Sequence, residues 1–378
     1  MLTREFPPAS IGGVAAHVDG LAGALARAGH DVVVFSLDNE GDLASDARTS
    51  DGVRVLRART DLPWLPDDDD VLRHASANNQ IAALAAIDRN WRPDVVHAHD
   101  WHTAWAGDTL ARLHGVPLVA TFHSTERGRH GGHVPDGPSS AINAIEAWLA
   151  HVSSAQICCS RFMMRELLEG LDPLNVHLIP NGVDPPVWAP STTVTREPLV
   201  LAWGRVQYEK GFQVLAQAMA LLRGRIKGVR CVIAGRGSYL PELQSQVDIE
   251  GVSDLVNLAG FVSDTELRDL LHRAGCVVIP SLYEPFGIVA LEALAAEAPT
   301  VAARTGGLAE IIEGTEAALL FEPGNARQLA DAIERVLGDR TLAHHMQSHG
   351  REVLASRFSW DAIATSTREV YERTISDR

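Results

Sequence analysis

Cysteine is scarce, with four in 378 residues, and Cys158, Cys159, Cys231 and Cys276 include no pair at metal-ligand spacing. That excludes a zinc ribbon or a disulfide framework and leaves reduced, mostly buried thiols as the expected state. Long apolar runs are missing too: none approaches the roughly 20 residues that span a bilayer. No secretory leader is visible, and the expected compartment is the cytoplasm. Basic residues are the minority charge, 33 Lys and Arg against 48 Asp and Glu, for a formal net charge of -15. Phosphate backbones are bound by basic clusters, so this balance argues against a nucleic-acid partner.

The length exceeds what one hydrophobic core usually serves, and two domains of about 150 to 200 residues are expected. Short β-branched runs alternate with longer helical ones, a pattern that calls for parallel sheets covered by helices on both faces. Strands are expected at 31–36, 53–57, 94–99, 117–121, 156–159 and 176–179, with helices at 14–28, 75–88 and 140–152. The Pro- and Thr-rich stretch 180–198 reads as a connection between domains. The alternation then restarts, with strands at 199–203, 230–234, 255–258, 276–279, 300–303 and 317–321, a number that fits a doubly wound sheet. Residues 359–375 form one amphipathic helix with a Ser start signal. The expected division is 1–185, 186–355 and a last helix, 356–378, that crosses back to the first domain. A sheet of this kind opens with a central apolar strand, yet only Met1 to Thr3 precede the REFPPASIGG loop. A few leading residues are therefore expected to be missing, with Met1 entering directly into a truncated strand.

Ligands bind outside the carboxyl ends of the strands in open α/β sheets. In the first half that rule nominates the loop around Gly12 and Gly13, then His99-Asp100-Trp101 and Phe122-His123. In the second it nominates Gly204-Arg205, Gly235-Arg236-Gly237, Gly260-Phe261, 281–287 and Thr305-Gly306-Gly307. Surface cations commonly mean nothing, but Arg205 and Lys210 flank one strand end and together make an anion site. In YEPFGIVALEA, 283–293, Pro285 is expected in the first turn of a helix, where its missing N–H costs nothing. The amides near Phe286, Gly287, Ile288 and Val289 are then donors at the positive end of a helix dipole. Glu284 and Glu292 are eight residues apart, a rise of about 12 Å along a helix, too far for the carboxylate pair of a glycosidase. They suit the two ends of an elongated ligand instead, although Glu292 alone could be an ordinary helix-surface residue. His99, His102, His123 and Asp100 could be read as a zinc set, but HAHDWH lacks the helical i, i+4 pairing of the usual zinc helix. No metal is expected there. The acidic run from Asp67 to Asp70 reads as a solvated loop or helix start.

These segments, taken together, resemble retaining glycosyltransferases of family 4 and the related bacterial glycogen and starch synthases. The likeness rests on IGG at 11–13, HAHDW at 97–101, TFHSTE at 121–126, PNGVD at 180–184, GRVQYEKG at 204–211, YEPFGIVALEA at 283–293 and RTGGLAE at 304–310. Through HSTERGRHGG, 123–132, it is nearest to actinobacterial α-glucosyltransferases that build α-1,4-glucans and methylglucose lipopolysaccharides. The resemblance implies the GT-B fold: two facing Rossmann-like, doubly wound α/β domains with the active site in the cleft between them. It also implies transfer of glucose, with retention, from UDP-glucose or ADP-glucose to an α-glucan or related oligosaccharide, with no cofactor and no metal. Arg205 and Lys210 would then bind the donor diphosphate, and Glu284 the hydroxyls of the transferred sugar. Phe286 to Val289 would offer backbone amides to phosphate and sugar, and Glu292 would grip the ribose. Gly12, Gly13, Gly235, Arg236 and Thr305 to Gly307 would line the donor pocket. His123 would sit near the reaction centre, with Asp100, Trp101, Glu126 and Arg127 on the acceptor side. One departure stands out, since glycogen synthases carry Lys where this chain has Ser10. The alternatives are a mannosyl- or glucosyltransferase acting on a small sugar phosphate or lipid-linked acceptor, or, in another class, a sugar-nucleotide epimerase or non-catalytic binder.

Overall fold

The computed structural model describes residues 1–8, 12–38, 43–59, 70–87, 91–190 and 195–377; Ser10 and the acidic residues Asp67 to Asp69 lie outside them. The chain divides into two compact units, Met1–Gly182 with Trp360–Arg378, and Val183–Ser359.

The first unit is built on strands β1 Leu2–Thr3, β2 Val33–Asp38, β3 Asp46–Arg48, β4 Arg54–Arg59, β5 Val96–His99, β6 Leu118–Phe122, β7 Ala155–Cys158 and β8 Val176–Leu178. Its helices are α1 Gly13–Arg27, α2 Asp70–Ile87, α3 Ala104–His114, α4 Glu126–Arg129, α5 Pro138–Val152 and α6 Arg161–Gly170. The sheet order is β3-β4-β2-β1-β5-β6-β7-β8. Every pairing is parallel except β3 with β4. Strands β5, β6 and β7 are buried along their whole length, as expected when helices cover both faces of a parallel sheet. That burial encloses His97 and His99 of β5 as well as its apolar residues. Strand β1 is two residues long yet occupies the centre of the sheet, paired to β2 and β5. The antiparallel β3 was not expected, because DAR carries no β-branched residue.

The second unit contains β9 Glu197–Trp203, β10 Arg230–Ala234, β11 Val256–Gly260, β12 Ala274–Ile279, β13 Thr300–Ala303 and β14 Leu319–Phe321, in the order β11-β10-β9-β12-β13-β14. This is the 3-2-1-4-5-6 arrangement of a doubly wound sheet, with its switch point between β9 and β12. Around it run α7 Pro185–Trp188, α8 Phe212–Leu222, α9 Leu240–Ile249, α10 Asp264–Arg273, α11 Ile288–Ala295, α12 Gly306–Ile312, α13 Ala326–Gly338 and α14 Arg340–Arg357. A single core of Val200, Leu215, Met219, Ile233, Val278, Val301, Leu329 and Ile333 fills the space between sheet and helices.

The last helix, α15 Trp360–Ser376, belongs to the first unit, where Ile363, Ala364 and Val370 join Leu21 and Leu25 of α1 and Val119 of β6 in one cluster. The divisions fall at 182/183 and 359/360 rather than 185/186 and 355/356, because Val183 and Ser359 bridge each other inside the second unit. The described residues of the connecting stretch are also more ordered than its composition suggests. Pro185 and Pro186 start the short α7, where a missing N–H costs nothing. Arg196 is drawn into the fold, donating to the carbonyls of Leu271, Ala274, Ala296 and Glu297 at 2.6 to 3.1 Å.

Candidate active site

In the second unit, residues nominated from strand ends gather at the β9/β12 switch point. Gly211, at φ +70°, follows Lys210, and a Cβ on it would lie 1.9 Å from the Pro280 carbonyl oxygen. Glycine therefore lets the loop after β9 press against the loop after β12. The Leu282 amide donates to the Glu209 carbonyl at 2.8 Å, and Lys210 Nζ reaches Glu284 Oε2 at 2.9 Å. Ser281 Oγ donates to the same oxygen at 3.0 Å. The third loop locks on through the Gly307 amide to the Glu284 carbonyl at 2.9 Å and Thr305 Oγ1 to the Leu282 carbonyl at 3.1 Å. Glu284 is thus a buried carboxylate fixed by a cation and a hydroxyl. Arg236, just beyond β10, accepts the Val206 amide on its carbonyl at 2.8 Å, and its guanidinium lies 5.3 Å from the centre of the exposed Phe261 ring.

The helix after Glu284 begins later than expected. Gly287 is its N-cap with φ 104°, a left-handed conformation that stops the helix extending back through Pro285 and Phe286. Pro285 is therefore outside the first turn, and the 12 Å helical rise does not apply between Glu284 and Glu292, since it holds along helix alone. Phe286 is buried against Phe358, 6.0 Å between ring centres. The amides of Ile288 and Val289 open α11, where helix geometry leaves N–H groups without intrahelical partners. Glu292 accepts from Trp203 Nε1 at 3.2 Å. Desolvation pushes its pKa up to about 7 against the effect of that bond. The two carboxylates therefore have separate partners, Lys210 and Ser281 for Glu284 and Trp203 for Glu292, which removes the reading of a matched acid/base pair.

The first unit has its own cluster at the ends of β5 and β6. Asp100 follows β5 with φ 57° and ψ 179°, a region populated almost entirely by glycine and costing about 1 to 3 kcal/mol. The twist is held from both sides: its amide donates to the Thr121 carbonyl at 2.9 Å, and its Oδ1 accepts from the His123 amide at 2.7 Å. His99 Nδ1 lies 3.1 Å from His123 Nε2. His17 of α1 joins them, its ring centre 4.7 Å from that of His123. Burial lowers the pKa of all three, His123 to about 4, so the imidazoles are neutral near pH 7. Asn181 favours protonation of His17, but neither ring nitrogen of His17 makes a well-formed hydrogen bond.

Among the described residues, two groups could hold a metal ion: His17, His99 and His123, and, far along the chain, Glu316, His345 and His349. The first differs from the set considered in HAHDWH. His102 turns away, stacking on Trp101 at 4.2 Å and meeting Arg4 at 3.1 Å, and His17 takes the third position. Trp101 is buried, also against His74 at 5.1 Å, so it packs the interior where an acceptor-lining surface was expected. Arg127 is likewise occupied, holding the carbonyls of Gly132 and Glu169 at 3.0 and 3.2 Å and closing its own loop. Gly12 occupies the N-cap position of α1 and donates its amide to Glu5 Oε2 at 2.8 Å, and Gly13 starts the helix. Glu126 accepts from Ser139 at 2.6 Å, and His130 stands 3.2 Å from it.

Sequence reasoning missed Glu146. Both its oxygens lie 3.0 Å from the Glu126 amide, and burial pushes its pKa up to about 8. His17 in GVAAHVDGLAGAL carried a signal, one polar residue on an otherwise apolar helix face, whereas Glu146 in AINAIEAWLAHV shares its face with Asn143.

Residues 11–186 match Glycosyltransferase Family 4 and residues 189–353 match Glycosyl transferases group 1. A glycogen synthase of Mycobacterium tuberculosis is 38% identical over 386 residues, covering 98% of this chain and 93% of that protein. The chain belongs to these glycosyltransferases. An alpha-maltose-1-phosphate synthase of the same organism is 29% identical, covering 100% of this chain and 99% of that protein. Among solved structures, sucrose-phosphate synthase from Thermosynechococcus elongatus shares the fold at TM-score 0.85 and 24% identity, covering 100% of this chain and 98% of that one. This glycosyltransferase therefore has the GT-B type of fold, with two Rossmann-like units. Membership removes the epimerase and the non-catalytic binder from the alternatives. No helix of the described residues is long and apolar enough to cross a membrane.

Proposed function

We propose that this glycosyltransferase moves glucose from a nucleoside diphosphate glucose to the non-reducing end of an α-glucan, making α-1,4 bonds with retention of configuration. The observation that carries the reading is the anchored Lys210–Glu284 pair at the switch point of the second sheet. The 38% identity to a glycogen synthase supports the choice of sugar and acceptor. In this reading Arg205, Lys210 and the Ile288 and Val289 amides neutralise the leaving diphosphate, an electrostatic role that asks for no metal. Glu284 accepts from hydroxyls of the transferred glucose. Glu292 accepts from the ribose. The acceptor hydroxyl attacks the anomeric carbon, the carbon–oxygen bond to phosphate breaks, and the hydroxyl proton leaves on the departing diphosphate. A cytoplasmic setting, where nucleotide sugars are made, fits this reading.

A second reading, transfer to a small sugar phosphate, is favoured by the similarity to an alpha-maltose-1-phosphate synthase over the whole chain. One matrix separates them: UDP-glucose, ADP-glucose and GDP-mannose against maltooligosaccharides, glycogen and glucose 1-phosphate, with product linkage determined. Elongation of maltooligosaccharides supports the first reading and transfer to glucose 1-phosphate the second. No glucosyl transfer to any of these acceptors sinks both.

A further inference from the structure

The second unit carries a side-chain cluster that sugar transfer leaves unused. Helix α14 spaces His345 and His349 at i, i+4, so the rings share one face and their centres lie 4.1 Å apart. Glu316, between α12 and β14, reaches both, its Oε2 at 2.8 Å from His345 Nε2 and 3.5 Å from His349 Nε2. His349 is oriented from behind, because its Nδ1 lies 2.9 Å from the His345 backbone carbonyl. A proton on Nδ1 then leaves the Nε2 lone pair facing Glu316. Metal-binding histidines are commonly fixed in this way.

One ligand atom from each residue falls within 4.8 Å of the other two. Bonds of about 2.0 to 2.1 Å to a tetrahedral zinc ion separate its ligand atoms by about 3.3 Å, within small side-chain movements of the positions found here. Two imidazoles and a carboxylate are the ligand types zinc and its first-row neighbours accept. The three side chains are 70%, 46% and 30% exposed for Glu316, His345 and His349, so an ion can enter and water can supply a fourth ligand. The contacts an ion would displace are solvent-exposed His–Glu pairs, which are worth little.

We propose that Glu316, His345 and His349 form a surface site for a divalent first-row transition-metal ion of the zinc class, which ties the segment between α12 and β14 to α14. The test uses the full-length chain without an affinity tag, stripped with chelator. Zinc chloride is titrated by calorimetry, cobalt by visible absorption, and thermal unfolding is followed with and without zinc. The expected result is a site whose affinity falls at least tenfold in Glu316→Ala and in His349→Ala. The double variant His345→Ala/His349→Ala should lose one zinc equivalent, the absorption of four-coordinate cobalt and the zinc-induced rise in Tm. Absence of zinc binding by the wild type overturns the proposal. So does unchanged stoichiometry and affinity in the double variant, which would place the ion elsewhere. Circular dichroism of each variant without metal separates a lost site from a lost fold.

Discussion

Lys210 and Ser281 both reach one oxygen of the buried Glu284 carboxylate. Removing the cation leaves that carboxylate poorly compensated. Breaking a fully buried pair costs roughly 3 to 5 kcal/mol, and the Lys210 side chain is 20% exposed. Lys210→Ala is therefore expected to lose about 2 kcal/mol of stability by urea denaturation. A fall in kcat/KM of about tenfold or more for the nucleotide sugar should accompany it. Wild-type kinetics in this variant would remove Lys210 from the donor site. Glu146 makes a different prediction, through pH. Its folded-state pKa of about 8 stands above the ordinary value of 4.5, so its contribution is complete below pH 4.5 and is lost as the pH rises through 8. The loss amounts to a few kcal/mol, at about 1.4 per pKa unit. Glu146→Gln, whose amide oxygen can still accept the Glu126 N–H, should flatten that part of the stability profile between pH 5 and 9. Parallel profiles for the two proteins would contradict the assignment. The contrast also shows what was legible. Lys210 and Glu284 follow apolar strands and could be nominated from the chain alone, whereas the role of Glu146 depends on burial by distant segments.

Helices and strands with clear periodicity were found within a few residues of their true ends, and β10 and β13 matched fully. The failures have local causes. Helix α11 starts at Ile288 because Gly287 adopts a left-handed conformation that the apolar run gives no hint of. Helix α15 was expected as an amphipathic helix crossing back to the first domain, but the element it packs on was not legible. It packs on α1 in the first unit, where a Cβ added to Gly20 would lie 2.2 Å from the Trp360 ring. Trp360 is held in turn against His17, 5.7 Å between ring centres, and has little room to yield. Tyr371, further along α15, meets buried His97 at 2.6 Å, fixing the helix to β5 at a second point. Gly20→Ala gains helix propensity, yet the overpacking should dominate. A net loss of about 1 to 3 kcal/mol is expected for the first unit, read as a lower urea midpoint in segments of that unit by hydrogen exchange. A stability equal to or above wild type would show that Trp360 can move aside.

At the scale of the whole chain, the alternation of strands and helices announced two parallel sheets, and both have a switch point where ligands of such folds bind. In the first sheet the central strand was expected as a truncated one and is found between β2 and β5, whereas the antiparallel β3 carried no pattern. In the second sheet every strand was legible, and so were the loops that should take the nucleotide. This asymmetry leads to a prediction about where ligand protection appears. A nucleoside diphosphate at 100 times its Kd stabilises what it binds by about 2.7 kcal/mol. Addition of UDP or ADP without sugar should therefore slow amide exchange in 204–212, 281–292 and 305–309. These segments hold Arg205, Lys210, Glu284, Glu292 and Thr305. The β3–β4 segment of the first unit, remote in sequence and on the edge of the other sheet, should exchange as before. The amides of Ile288 and Val289 are the sharpest reporters, because helix geometry leaves them without internal partners and their exchange responds to the anion itself. Protection that spared all three segments, at nucleotide concentrations that raise the Tm, would move the donor site away from the β9/β12 switch point.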